Sequence, residues 1–291
     1  MAKEKPVLEV HELYNGEVTV TLDGRHKYTV HDNGVLVPDV VNVTSISGIL
    51  DKPGLKFWAA NLAADHILEA LRAGTDITEA LIEEARRKHT TFVKEAADIG
   101  TLVHDFVETF IRLILEGKEQ PALPDDERVL NGVLSFLRWR DQNNVQFVST
   151  ERIVYSREYH IVGKMDAEIK LDGKLIVADW KTSNARKPKK PDSTCSLCGK
   201  VGCGGVYNEY RYQTALYQQM ANEEHAFLET PKERGVNKTI TSPYEGDRLI
   251  ARFDKETGNF AAHRIDDFFK DWDVARALLV ARRREIEIEK S

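Results

Sequence analysis

The sequence contains few cysteines and no long hydrophobic run. Three cysteines occur among 291 residues, too few for the disulfide framework of a small secreted domain, so we expect a reducing compartment. No apolar stretch approaches the roughly 18 residues that span a membrane. The first residues carry charges where a signal peptide would be apolar. These absences predict a cytoplasmic protein with no membrane contact.

Positive charge is not in excess either. The formal net charge is −6, so contact with an anionic polymer has to come from a local patch and not from the whole surface. The densest basic run consists of Arg186, Lys187, Lys189 and Lys190. For this run, contact with a phosphate backbone and a merely solvated surface both stay open.

Local patterns predict an α/β (α+β) protein with a central mixed sheet flanked by helices. Residues 8–43 alternate apolar and polar positions between turns, which predicts an antiparallel β-meander. Helix and strand patterns follow over 55–118, 129–139, 146–155, 158–169, 174–181, 207–221, 248–264 and 266–288. We expect three regions, namely the β-meander (1–50), a helical region (51–145) and a core (146–291) with a cysteine-bearing insert (188–206).

Two of the predicted strands each carry an aspartate at the same end of the pair. Asp166 and Asp179 stand on strands joined by the turn 171–174, and Lys181 follows two residues after Asp179. Because side chains alternate along a strand, Asp179 and Lys181 share one face and Trp180 takes the other. Two carboxylates beside a lysine suit a hard divalent cation and a phosphate, as phosphodiester hydrolysis requires. A structural Asp–Lys pair at a strand end is the plainer alternative.

This pattern resembles the core of the PD-(D/E)xK nuclease superfamily, and most closely its RecB-like branch, which includes phage exonucleases and the mitochondrial genome maintenance exonuclease. The resemblance spans residues 35–265 and rests on Gly163-x-x-Asp166, Asp179-x-Lys181, Gly100-Thr101-x-x-His104-x-x-x-Glu108 and Gln213-x-x-x-Tyr217. The Pro-Asp pair that names the superfamily is missing, since Met165 precedes Asp166. The resemblance implies a restriction-endonuclease-like fold. It also implies a metal-dependent DNA exonuclease, bacterial or phage-encoded, that acts on single-stranded DNA or DNA ends in replication, recombination or repair.

The resemblance further implies roles for individual residues. Asp166 and Asp179 would ligate one or two Mg²⁺ or Mn²⁺ ions. His104 and the backbone carbonyl of Trp180 would complete the ligand set, and a nitrogen ligand favours Mn²⁺. Lys181 would position the attacking water or stabilise charge in the transition state.

Four more residues each have a functional and a structural interpretation. Glu108 would join the catalytic group by orienting His104 or by accepting a bond from an arginine; otherwise it is a helix-surface glutamate. Gln213 and Tyr217 would contact DNA through hydrogen bonds and base stacking. In the alternative, Tyr217 packs into the core and Gln213 faces solvent. Glu151 would pair with a basic residue of the site.

Cys195, Cys198 and Cys203 form a separate feature within the insert. The Cys-x-x-Cys turn followed by glycines resembles a zinc knuckle, because two thiolates can converge on one ion. A closed structural zinc site needs four ligands, so the fourth would come from His160, His225, an aspartate or a partner. A flexible glycine-rich loop without Zn²⁺ is the alternative.

Three other functions stay open at this stage. Within nuclease chemistry, the chain could be a structure-specific or restriction-type endonuclease. It could also be a non-catalytic DNA-binding scaffold of the same fold. A zinc-centred interaction module is the third, and it would show zinc-dependent partner binding without cleavage.

Overall fold

The computed structural model describes residues 9–51, 53–182, 194–195, 205–229, 244, 247–253 and 260–291. The strands in these ranges are β1 (Glu9–Leu13), β2 (Val18–Leu22), β3 (Tyr28–Asp32), β4 (Val35–Leu36), β5 (Val41–Asn42), β6 (Gln146–Ser156), β7 (Ile161–Leu171), β8 (Lys174–Thr182), β9 (Arg248–Phe253) and β10 (Phe260–Ile265). The helices are α1 (Val43–Gly48), α2 (Pro53–Arg72), α3 (Glu79–Leu115), α4 (Glu127–Gln142), α5 (Asn208–Glu229) and α6 (Phe268–Lys290). No helix within the described ranges is long and apolar enough to cross a membrane.

The first four strands form a small antiparallel sheet in the order β1-β2-β3-β4. Its apolar face packs against β6 and β7, because alternate residues of β2 are buried. Arg157, which follows β6, ties this N-terminal sheet to the rest of the molecule. Its guanidinium donates hydrogen bonds to Asp32 and Glu17 and lies 4.5 Å from the ring centre of Tyr14. The predicted meander is therefore present and docked on the larger sheet.

The central sheet is mixed and has the order β10-β9-β8-β7-β5, with β6 pairing along β7. Strand β8 runs parallel to β9, and β5 runs parallel to β7, while the remaining pairs are antiparallel. This arrangement confirms the predicted fold class. Strand β7 begins at Ile161 and not at 158, because Tyr159 and His160 form a turn in which the Tyr159 N–H donates to Ser156 Oγ. The division of the chain into three regions at residues 50 and 145, with an insert at 188–206, stays a prediction.

Helices cover both faces of the central sheet. On one face, α3 and α4 bring Phe110 and Phe136 against Trp180 of β8. On the other face, α1, α5 and α6 form a second core cluster that includes Leu216 of α5 and Val177 of β8. Strand β8 is thus buried from both sides, and its polar residues have to be compensated within the protein.

Strands β7 and β8 separate at the end where their aspartates stand. Because β6 pairs along one edge of β7, β5 and β8 share the other edge. The ladder between β7 and β8 ends at the Ala167–Ala178 pair, and β5 pairs with β7 only at Ile161 and Val162. The stretch 163–166 lies between these two contacts. The polar side chains there face a gap at the edge of β7, and this gap positions the site.

Candidate active site

The separated ends of β7 and β8 bring two aspartates and a lysine together. Asp166 Oδ2 accepts a hydrogen bond of 2.7 Å from the backbone N–H of Trp180. Asp179 is fully buried, and its Oδ2 lies 2.6 Å from Nζ of Lys181. Trp180 points to the other face, where its ring lies 5.6 Å from that of Phe136. The alternation along β8 therefore separates the charged cluster from the aromatic core.

Burial and charge act against each other in this cluster. Burial raises the pKa of Asp179 to about 7, although Lys181 lowers it, and the nearby Asp166 raises it further. Burial lowers the pKa of Lys181, but the two carboxylates outweigh burial and leave that pKa above its usual value. Among the described residues, neither Asp179 oxygen has a partner in hydrogen-bond geometry. The carboxylate thus depends on the Lys181 ammonium for charge compensation.

His104 reaches this cluster from α3. Its ring lies near Asp166 and Lys181 and forms a hydrogen bond with the Trp180 backbone, and burial lowers its pKa. Gly100, one helical turn earlier, permits the approach. A Cβ at Gly100 would lie 2.6 Å from Oγ1 of Thr182, at the end of β8. The Gly-Thr-x-x-His pattern therefore has a steric reason, since a larger residue at its first position would force Thr182 or α3 to shift.

Helix α5 contributes Tyr217 and Gln213. Tyr217 is only 3% exposed, and its hydroxyl accepts a hydrogen bond of 3.1 Å from Gln213 Nε2. Its ring packs on Gly163 of β7, where a Cβ would lie 2.8 Å from Tyr217 Cε1. Gly163, three residues before Asp166, thus lets α5 approach β7 in the same way as Gly100 lets α3 approach β8.

The phenols of α5 lie beside the charged cluster. Burial raises the pKa of Tyr217, and the charges of Asp179 and Asp166 raise it further. Tyr210, two turns earlier on the helix, has its ring centre 5.4 Å from Lys181 Nζ. This contact is a cation–π interaction. Both phenols therefore face the carboxylates and the ammonium group, and Tyr217 belongs to the core and to the site at once.

A second ion pair borders the cluster. Lys164, two residues before Asp166, pairs with Glu151 of β6, as was predicted for Glu151. Burial raises the pKa of Glu151 to about 7, although the hydrogen bond with Lys164 lowers it. The charges of Asp166 and Glu108 raise this pKa further. The charge of Glu108 also raises the pKa of Lys164. Glu108 therefore lies close to the Glu151–Lys164 pair, and its role in orienting His104 stays a prediction.

A cleft of about 250 Å³ opens beside Asp166. Four parts of the chain line it. His26 and Tyr28 come from the β2–β3 hairpin, Asn42 precedes α1, Lys164 and Asp166 lie on β7, and Gln213 lies on α5. Most of its lining residues carry polar or charged side chains, in contrast to an ordinary hydrophobic ligand pocket. Such a lining suits a ligand that carries charge and hydrogen-bonding groups along its length.

Comparison with known proteins places this site in a family. The sequence matches the model of the PD-(D/E)XK nuclease superfamily over residues 80–289. This chain belongs to that superfamily. No curated protein matches the sequence. Among solved structures, the chain described as "Crystal structure of SSO0001" is 17% identical, with a TM-score of 0.27, and the match covers 63% of this chain and 74% of that chain.

Membership in the PD-(D/E)XK nuclease superfamily confirms that part of the resemblance predicted from the motifs, and the RecB-like branch stays a prediction. Nucleases of this superfamily generally use divalent metals such as Mg²⁺ and act on nucleic acids. The matched residues 80–289 include every motif of the cluster, from Gly100 and His104 to Gln213 and Tyr217. The N-terminal sheet lies outside the matched range. The part of the chain that matches the superfamily therefore does not include this sheet.

The donor set fits a hard divalent cation. Two carboxylates, an imidazole and a backbone carbonyl offer oxygen and nitrogen ligands, and Asp179 is fully buried. Within the described ranges, no group of three or more His, Cys, Asp and Glu side chains already has the spacing of a metal site. The ammonium of Lys181 compensates Asp179 instead, at 2.6 Å. A bound cation would share this carboxylate with Lys181.

Some of the predicted residues lie outside the described part of the chain. These are Arg186, Lys187, Lys189, Lys190, Cys198 and Cys203. Cys195 is described and half-buried. His225 is one of the two histidines considered as a fourth zinc ligand, and its Nε2 lies 3.2 Å from Oε1 of Glu229. The zinc site and the backbone contact of the basic run stay predictions.

Sequence reasoning missed several residues that border the site. Lys164 stands between Gly163 and Asp166, and its place two residues before Asp166 was a usable signal, because positions i and i+2 share a strand face. Tyr210 also had a signal, since it lies about one helical turn before Gln213. His26 and Tyr28 had none. Their place in the cleft depends on how the N-terminal sheet docks on β6 and β7.

Proposed function

We propose that this protein is a metal-dependent DNA exonuclease of the RecB-like branch. It acts on single-stranded DNA or DNA ends in replication, recombination or repair, in the cytoplasm of a bacterium or of a phage-infected cell. The observation that carries the proposal is the convergence of four motifs from α3, β7, β8 and α5 around Asp166. Their order and spacing are those on which the resemblance to this branch rests.

In this proposal, Asp166, Asp179, His104 and the carbonyl of Trp180 hold one or two Mg²⁺ or Mn²⁺ ions. A metal bound there supplies a water of lowered pKa and neutralises charge on the scissile phosphate. The protein contributes rigidity, because both aspartates stand on strands and Trp180 is fixed in the aromatic core. The imidazole of His104 is the ligand that favours Mn²⁺ over Mg²⁺.

Lys181 is the group that acts on the reacting atoms. Its ammonium is confined by Asp179 on one side and by the ring of Tyr210 on the other. A confined cation can orient the attacking water and stabilise the negative charge that develops on the phosphate, without rearranging during the reaction. Tyr217 and Gln213 offer a hydroxyl and an amide to the phosphate and sugar next to it.

The test is cleavage of end-labelled linear single-stranded DNA beside a closed circular single strand, in Mg²⁺, Mn²⁺ or EDTA. We expect metal-dependent loss of the linear strand alone, and the position of the label gives the polarity. Lys181→Ala should lower the rate by at least about 100-fold and leave DNA binding intact. Lys170→Ala is the matched control, since Lys170 is an exposed lysine of β7 four residues after Asp166.

Each other result points to a different function. Cutting of the circular strand would favour the structure-specific or restriction-type endonuclease. Binding of both strands without cleavage of either would favour the non-catalytic scaffold. Full activity of the Lys181→Ala variant would refute the role given to Lys181.

A further inference from the structure

The turn between β2 and β3 is a cationic hairpin tip at the edge of the cleft. It contains Arg25, His26 and Lys27 in succession, all exposed. Asp23 fixes its shape, because one carboxylate oxygen accepts 2.9 Å hydrogen bonds from the backbone N–H groups of Arg25 and Lys27. The backbone carbonyl of Asp23 accepts a third, from the His26 N–H, also at 2.9 Å. The basic side chains are thus presented by a backbone that is held in place locally.

The hairpin is joined to the site through His26 and Tyr28. Both line the cleft that contains Asp166. Burial raises the pKa of Tyr28, while the charge of Lys164 lowers it, which places the phenol close to the ion pair beside Asp166. His26 of the hairpin tip and Asp166 of the charged cluster therefore line the same cleft. Because the protein as a whole has a net charge of −6, this local cluster of cations differs in sign from the overall charge.

We propose that the β2–β3 hairpin guides a single nucleic acid strand into the active site. Arg25 and Lys27 contact its phosphates, and Tyr28 contacts the base of the nucleotide in the cleft. A cationic track with an aromatic side chain beside it is the usual chemistry of single-strand binding, because every base offers a face for stacking. The inference rests on the proposed function and assigns to the N-terminal sheet a part in choosing the substrate.

The size of the cleft selects the form of the strand. The cleft has a volume of about 250 Å³, with walls from the hairpin, the start of α1, β7 and α5, and in this proposal it holds one extruded nucleotide, as the pockets of base-flipping enzymes do. A duplex would have to unpair its terminal nucleotide before that nucleotide could enter, which costs a few kcal/mol per base. The guide therefore favours strands that are already unpaired.

The test measures binding of two fluorescent probes in EDTA, so that cleavage plays no part. One probe is a short oligothymidylate, and the other is an abasic deoxyribose-phosphate oligomer of equal length. The variants are Arg25→Ala/Lys27→Ala and Tyr28→Ala. The matched control is Arg276→Ala/Arg284→Ala, which removes the same charge from exposed positions of α6.

The hairpin double variant should lose affinity for both probes. Each phosphate contact of a single strand contributes about 0.7 to the slope of log affinity against log salt. Loss of two contacts should reduce the magnitude of this slope by about 1.4. Over the decade from about 1 M down to about 0.1 M salt, this difference makes the affinity of the variant about 25-fold lower than that of the wild type. Tyr28→Ala should weaken the oligothymidylate by about 5-fold or more and leave the abasic probe unchanged.

The following outcomes would overturn the inference. The first is a hairpin double variant that binds both probes with wild-type affinity. The second is an equal loss of affinity in the α6 control, and the third is no binding of either probe by the wild-type protein. Equal weakening of both probes by Tyr28→Ala would overturn the base contact. If the expected binding pattern appears but the wild type cleaves no DNA in Mg²⁺ or Mn²⁺, the proposed hydrolysis fails and the guide stands.

Discussion

Replacing Gly163 by alanine should disturb the site through Tyr217 without touching a charged group. A Cβ at this position would lie 2.8 Å from Tyr217 Cε1 and 2.9 Å from Val43 Cγ2. Ordinary contacts are 3.4–4 Å, so α5 or α1 has to move by roughly 0.6 Å. Overpacking of this kind costs about 1–3 kcal/mol of stability. Because Tyr217 is 3% exposed, its ring has little room to turn aside.

The same displacement should reduce catalysis. Tyr217 carries Gln213 with it through their 3.1 Å hydrogen bond, and a misplacement of about 1 Å can cost about 100-fold in rate. We expect Gly163→Ala to lower the cleavage rate by about 10- to 100-fold at saturating DNA. Denaturant unfolding gives the stability change, and single-turnover cleavage gives the rate. Gly48→Ala is the control, because a Cβ at Gly48 has no atom within 4 Å. Wild-type stability and rate in Gly163→Ala would refute the steric argument.

Three further predictions follow from the site and the core. Asp179→Asn should weaken Mn²⁺ binding by at least about 10-fold in titration calorimetry, because an amide is a poorer ligand than a carboxylate; unchanged affinity would remove Asp179 from the ligand set. Gly100→Ala should destabilise the fold by about 1–3 kcal/mol, and a second change, Thr182→Ala, should recover part of that loss in a double-mutant cycle. Additive effects would show that the approach of 2.6 Å expected between an added Cβ and Thr182 Oγ1 has no energetic weight. Arg248→Met should cost about 3 kcal/mol in denaturant unfolding, because it leaves the buried carboxylate of Asp271 with Arg211 as its remaining ion-pair partner; a neutral effect would contradict this.

The local part of the site could be predicted from the sequence. Alternation along β8 is a property of any strand, so the separation of Asp179 and Lys181 from Trp180 followed from three consecutive residues. The helical spacing of Gln213 and Tyr217 placed both on one face of α5 in the same way. The mixed class of the sheet followed from the order of helix and strand patterns. Each of these predictions depends on a repeat of two or of about four residues.

The rest depends on contacts between distant parts of the chain. The parallel pairing of β8 with β9 joins Ala178 to Leu249, and no local pattern specifies such a partner. Glu151 has a positive φ of 51° within β6, which interrupts the alternation on which sequence reasoning relied for that strand. The steric role of Gly163 also became visible only when α5 was seen to lie on it. These features are tertiary, and propensity carries no information about them.

The walls of the cleft come from parts of the chain that are far apart in sequence, from His26 to Tyr217, and this sets the order in which the active site can be assembled during synthesis. The β2–β3 hairpin leaves the ribosome first, but Tyr217 follows about 190 residues later, which takes roughly 10 to 40 s at ordinary elongation rates. Until then a nascent chain contains Asp166, Asp179 and Lys181 without the helix that closes the cleft over them. We expect chains arrested before α5 to leave nucleic acid uncut, and a ribosome-bound series of increasing length would show activity appearing only once α5 has emerged. The site proposed for hydrolysis is thus complete only after residues 208–229 have been synthesised.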